Sequence, residues 1–197
     1  MSFIEKFIYF SAPSLCGIKP ACLYSVAAMD FYNRYETIIS LKNDVIKAGQ
    51  NIAIIKRSDN LFLFFIYDKK MIISLLSNPQ CNGYLKDKGY EIENGSESII
   101  QQLIWKLTTT KEFPHEIGLF LGYPFEDVIG YEKDFGKTSK YSGSWQVYGD
   151  VSNACKKMKM FKECEKICST LYKEGTSISS LKTEYMKISK RERFFSW

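Results

Sequence analysis

The sequence predicts an α+β fold in one domain spanning residues 1–197: a mixed sheet of roughly five strands that includes an antiparallel hairpin, packed by about six or seven helices. Three observations carry that expectation. Two β-branched and aromatic runs, 51–57 and 61–67, are separated by Ser58, Asp59 and Asn60, which is hairpin chemistry with a short polar turn. Residues 96–108 and 151–173 repeat apolar side chains at spacings of three and four, the period of an amphipathic helix. A chain of 197 residues with 45% hydrophobic and 15% aromatic content is long enough for one good core, and too apolar to be disordered or fibrous.

Taken in order, residues 2–10 place Phe3, Phe7 and Phe10 with Ile4 and Ile8 at helical spacing, so a short helix stopped by Pro13 is expected. Residues 12–20, with Pro13, Gly17 and Pro20, suit a loop, and Pro20 holds Lys19 in an extended backbone. A short apolar strand follows at 21–26. Across residues 30–48, Phe31, Tyr35, Ile38, Ile39, Leu41 and Val45 keep a helical period that Gly49 is suited to cap. After the hairpin, 68–76 and 79–88 read as two short helices split at Asn78 and Pro79, the second ending at Gly89. In 96–108 the helical face is Ile99, Ile100, Leu103, Ile104 and Leu107, with Ser96 as N-cap.

Residues 117–121 are apolar apart from Gly118, as expected of a strand buried on both faces. Pro124 then opens a helix, with Glu126 and Asp127 in its first turn. Residues 144–148 alternate Trp145 and Val147 against Gln146 and Tyr148, the pattern of a strand with one wetter face. The helix of 151–173 has a wide apolar arc: one stripe holds Ala154, Met158, Phe161, Cys168 and Tyr172, another Met160, Cys164, Ile167 and Leu171. Lys156, Lys159, Lys162, Lys166 and Lys173 collect on the remaining arc, so the helix is expected to be buried on most sides and solvated along a lysine strip. Gly175 ends it, and Ile178, Leu181, Tyr185 and Ile188 give a last amphipathic helix over 177–190.

Composition narrows the function classes. Glu5 and Lys6 interrupt the apolar start and no small-residue cleavage site follows, so no secretory signal is expected. The longest uncharged apolar runs fall far short of the roughly 20 residues that span a bilayer, so no membrane segment is expected. A cytoplasmic location with six reduced cysteines follows as an expectation. The net charge of +5 is uneven: residues 151–197 carry eleven Lys or Arg against five Glu, whereas 1–150 carry sixteen against seventeen acids. A basic C-terminal segment ending in Phe194, Phe195 and Trp197 has the mixture of cations and aromatics used on nucleic acid, but so mild a net charge makes nucleic acid the less favoured partner.

The centre of the chain is residues 113–148, which hold the sole histidine, His115. Ala12-Pro13-Ser14-Leu15-Cys16-Gly17-Ile18-Lys19, the run from Pro114 to Gly130, and Tyr141-Ser142-Gly143-Ser144-Trp145-Gln146-Val147-Tyr148-Gly149 together resemble a bacterial domain-of-unknown-function family of clostridia-like anaerobes, family thirty-seven ninety-three. The resemblance extends over nearly the whole chain. It implies a cytoplasmic, single-domain bacterial protein and assigns no activity.

His115 is the side chain whose ordinary pKa lies nearest neutrality and is the candidate acid or base, with Glu116 beside it. If a strand already begins here, the two point to opposite faces and do not form a dyad. The turn at Gly122 and Tyr123 before the helix is where α/β proteins place ligands, although Glu126 and Asp127 would repel an anion there. Gly130 to Gly136-Lys137-Thr138 imitates a phosphate loop, but five residues separate its glycines where the motif has four, and a helix precedes it. Cys164 and Cys168 are one helical turn apart and Cys155 lies about 180° round the helix from Cys164, so no metal site is expected from these three; the cysteines read as small buried hydrophobes, and a metal site would need distant segments. The functional expectation is a small-molecule or cofactor pocket near Pro114 to Gly118, with His115 and Glu116 as candidate catalytic groups and Lys19, Tyr123, Asp127, Lys140 and Tyr148 as candidate ligand-binding groups; the cofactor is not specified. The alternative is a non-catalytic interaction module that uses its basic C-terminal helices on a protein or nucleic-acid partner.

Overall fold

In the computed structural model the described residues are 1–195, with side chains described through Lys190. The fold is α+β, with ten α-helices and two small antiparallel sheets among the described residues. The order is α1 (Phe3–Leu15), β1 (Ala21–Ala27), α2 (Ala28–Tyr32), α3 (Tyr35–Lys47), β2 (Asn51–Ser58), β3 (Leu61–Tyr67), α4 (Lys69–Leu76), α5 (Pro79–Asp87), α6 (Gly95–Thr109), α7 (Ile117–Phe120), α8 (Phe125–Asp134), β4 (Tyr141–Ser142), β5 (Gln146–Val147), α9 (Val151–Lys173) and α10 (Leu181–Phe195). No helix among the described residues is long and apolar enough to cross a membrane.

Strand β3 lies between β1 and β2, paired antiparallel to both, with Tyr24 and Ile54 flanking Phe64. Its run Leu61–Tyr67 is apolar without alternation because both faces are covered. Phe62, Phe64 and Ile66 enter one core with Phe7, Ile8 and Leu15 of α1, Ile38 and Leu41 of α3, and Cys164 and Cys168 of α9. Leu63, Phe65 and Tyr67 enter a second with Ile72 of α4, Leu85 of α5, Ile99 and Leu103 of α6, and Leu119 and Phe120 of α7. The alternation of side chains across a strand thus feeds two cores from one segment.

Local chemistry sets the ends of the helices. Ser2 and Glu5 form a reciprocal capping box on α1, Asp68 caps α4, Asn78 caps α5 with Pro79 at its first position, and Asp150 caps α9. At the β2 irregularity beside Ser58, Arg57 turns away to donate to Leu107 O at 2.7 Å and Lys111 O at 3.2 Å, binding the carbonyl end of α6.

The expectation of one mixed five-stranded sheet is corrected: among the described residues every pairing is antiparallel, three strands form the main sheet, and β4–β5 is a separate two-stranded hairpin. The strand expected at 117–121 is helix α7, wound by hydrogen bonds from Gly118 N to His115 O and Leu121 N to Ile117 O. Its apolar run has no period because all four residues are enclosed, so enclosure and not strand geometry produced the pattern. Pro13 does not stop α1, which continues to Leu15; the missing amide costs one hydrogen bond, and Ser14 Oγ fastens that last turn by donating to Ile66 O at 3.1 Å. Helix α6 begins at Gly95, one residue before the expected cap Ser96. On α9 the buried face is narrower than expected, Ala154, Met158, Phe161, Cys164 and Cys168 alone, while the five lysines of the strip are exposed.

Two covered faces on β3 give a direct prediction. Phe64→Ala and Phe65→Ala, on adjacent residues aimed at different cores, each lower stability by about 3–5 kcal/mol in urea titration. A sheet with one open face would show a large loss for one substitution and a small loss for the other.

Candidate functional site

Helices α7 and α8 are joined by the tight turn at Gly122, whose φ of 75° favours glycine and where a Cβ would sit 2.9 Å from Pro20 Cδ. Gly118 admits Val128 against α7, since a Cβ there would lie 2.8 Å from Val128 Cγ2, and a side chain at Gly130 would overlap the Tyr148 ring. These close approaches leave a cavity of about 570 Å³ between α7, α8 and the β4–β5 hairpin. Phe113, His115, Tyr123, Tyr131 and Trp145 supply its aromatic wall, Ile117, Leu121 and Val128 its aliphatic floor.

The buried carboxylate of Asp127 holds this arrangement together. Its Oδ2 accepts from Trp145 Nε1 at 2.7 Å, and its Oδ1 accepts from the backbone N–H groups of Tyr148 and Gly149, each at 2.8 Å. The hairpin is thereby tied to α8, and Trp145 stacks on Tyr123 with ring centroids 4.7 Å apart. His115 is half-buried, with its ring edge-on to Tyr131 at 5.1 Å and Phe135 at 5.6 Å.

The sequence-derived site residues separate into those that line the cavity and those that do not. His115, Tyr123 and Asp127 line it. Glu116 points into the second core, accepting from Tyr90 Oη at 3.2 Å and pairing with Lys106 Nζ at 3.0 Å. Lys19 lies outside the lining, its ammonium over the rings of Tyr123 at 5.8 Å and Phe161 at 5.4 Å. Lys140 is exposed and donates to Gly149 O at 3.1 Å. Tyr148 braces the turn after α8: its hydroxyl donates to the Asp134 carboxylate and accepts from Gly136 N at 2.8 Å. Hydrogen bonds from Thr138 and Tyr148 hold the Asp134 carboxyl down at about 2.

Trp145, Tyr131, Phe113 and Ser144 complete the lining and were outside the sequence-derived set. The alternation of 144–148 already put Trp145 on the drier face, which was the available signal. Among the described residues Lys and Arg are absent from the lining, and its carboxylate, Asp127, already accepts three hydrogen bonds. Gln146 is likewise engaged, by Ser139 and Ser142. Among the described residues, His115, Ser144, Tyr123 and Tyr131 are the lining side chains that carry a hydrogen-bonding group without a hydrogen bond of their own. Among the described residues no carboxylate hydrogen-bonds the His115 ring, and the chemistry within its reach is proton exchange by a lone imidazole.

Elsewhere, Cys16 at the end of α1 meets Cys164 and Cys168 of α9. Cys16 Sγ lies 3.4 Å from Cys168 Sγ, Cys164 Sγ lies 3.9 Å from Cys168 Sγ, and all three thiols are buried.

Asp127→Ala strands the buried indole N–H and two half-buried amides, so it lowers stability by about 2–4 kcal/mol. In a background of Trp105→Phe and Trp197→Phe it also shifts Trp145 emission to the red. An unshifted spectrum would mean that the carboxylate does not anchor the hairpin.

The family model described as Protein of unknown function (DUF3793) matches residues 7–182. No curated protein and no solved structure matches the chain. The matched stretch contains all three motifs quoted from the sequence, the turn at Pro20 and Gly122 that seats α7, and the Asp127 clamp on the hairpin; this chain belongs to the DUF3793 family.

Proposed function

We propose that the protein binds a small, planar, uncharged molecule in the cavity between α7, α8 and the β4–β5 hairpin. The observation that supports this reading best is the composition of the lining. Five aromatic side chains, one of them the His115 imidazole, face a space of about 570 Å³, within the range of drug-sized ligand pockets, and beside that imidazole the free polar groups among the described residues are the hydroxyls of Ser144, Tyr123 and Tyr131. Stacking and edge contacts with Trp145, Tyr123 and Tyr131 favour a flat guest, and His115 and Ser144 fix its polar edge. Among the described residues no Lys or Arg lines the cavity, which disfavours phosphates and carboxylates. His115 acts as hydrogen-bond partner, or as acid or base if the guest is a substrate. Lys19, behind the ring of Tyr123, acts on the cavity wall and not on the guest.

Native mass spectrometry of freshly isolated protein tests the reading. Wild type carries a non-covalent small-molecule adduct; His115→Ala loses it while its Tm stays within about 2 °C, because the half-buried ring has no hydrogen bond to forfeit. A bare wild-type chain, or an adduct retained in His115→Ala, contradicts it.

A further inference from the structure

The cysteines of α1 and α9 do not depend on the cavity for an explanation. Cys16 is 1% exposed, Cys164 and Cys168 are 0% exposed, and their sulfur atoms all lie within 4.8 Å of one another. Cys164 and Cys168 share a face one turn apart, and Cys16 arrives from a helix some 150 residues earlier, held by the packing of α1 along α9. A zinc–sulfur bond of about 2.3 Å places neighbouring ligand sulfurs about 3.8 Å apart in a tetrahedron and about 4.0 Å apart in a trigonal plane. The observed separations of 3.4 and 3.9 Å are within a few tenths of an ångström of those values.

We propose that Cys16, Cys164 and Cys168 form a three-thiolate site for one thiophilic metal ion, Cu⁺ or Zn²⁺. Binding breaks three S–H bonds, releases three protons to solvent and forms three metal–sulfur bonds; the metal keeps its oxidation state, so neither oxidant nor reductant is consumed. Soft thiolate donors select these two ions over harder ones. The assembled centre is anionic, and the Lys182 ammonium is the nearby cation. It crowds the turn after Cys16, where a Cβ on Gly17 would lie 3.0 Å from Lys182 Nζ. Among the described residues no fourth Cys, His, Asp or Glu joins the cluster, which suits three-coordinate Cu⁺; a fourth, exogenous ligand would complete Zn²⁺. Gly17, the residue after Cys16, is half-buried.

The test is a titration of reduced, metal-free protein carrying no histidine tag, with Cu⁺ against bicinchoninate and separately with Zn²⁺ against a chromophoric chelator. One equivalent of either ion binds, and three thiols fall silent to a thiol reagent. Cys16→Ala and Cys168→Ala weaken binding by more than the roughly 10–100-fold that loss of an outer partner costs, whereas Cys81→Ala and Cys155→Ala leave it unchanged. Circular dichroism shows whether the alanine variants fold. If they do not, X-ray absorption on the loaded wild type decides, with three sulfur scatterers at about 2.3 Å expected. Binding of neither ion, loss of binding in Cys155→Ala, or fewer than three sulfur scatterers overturns the proposal.

Discussion

The structure depends on the burial of β3 on both faces. One seven-residue strand delivers Phe62, Phe64 and Ile66 to one core and Leu63, Phe65 and Tyr67 to another. A small three-stranded sheet cannot protect two apolar faces by itself, so each side must be covered by helices. Helices α1, α3 and α9 cover one face and α4, α5, α6 and α7 the other. The helical surplus of the fold follows from this. The polar pins at the margins, Ser14 to the Ile66 carbonyl and Arg57 to the end of α6, fix where those helices lie on the sheet.

The candidate cavity is a by-product of how the second core ends. Helix α7 is enclosed, α8 turns back at Gly122, and the β4–β5 hairpin closes the remaining side because Asp127 pulls Trp145 and the Tyr148–Gly149 amides onto α8. Met158 and Phe161 of α9 support the hairpin from behind, so the helix that carries two of the clustered cysteines also backs the cavity. The cavity wall and the thiol cluster therefore share a rigid spine without sharing a residue.

Much of the fold was legible in the sequence where local chemistry and periodicity agree. The hairpin of β2 and β3, the break between α4 and α5 at Pro79, and the span of α9 all follow from spacing and caps that no distant contact overrides. The 117–121 segment was not legible, because four enclosed apolar residues look alike as strand or helix and only the hydrogen bonds to Pro114–Glu116 carbonyls decide between them. Pro13 misled for the related reason that tertiary packing of α1 outweighs one lost amide. Of the site, His115, Tyr123 and Asp127 were readable as neighbours in sequence, whereas the inward turn of Glu116 depends on Lys106 and Tyr90, and the union of Cys16 with Cys164 and Cys168 depends on helix packing across most of the chain.

Amide hydrogen exchange resolved along the chain is the most direct measurement of the shared-strand account. If β3 is the common wall of both cores, the amides of 62–66 exchange at the slowest rate in the molecule, through global unfolding, and the buried turns of α1 and α6 reach the same limit. Exchange of those β3 amides ahead of the helices on either face would show two independent cores and contradict the account.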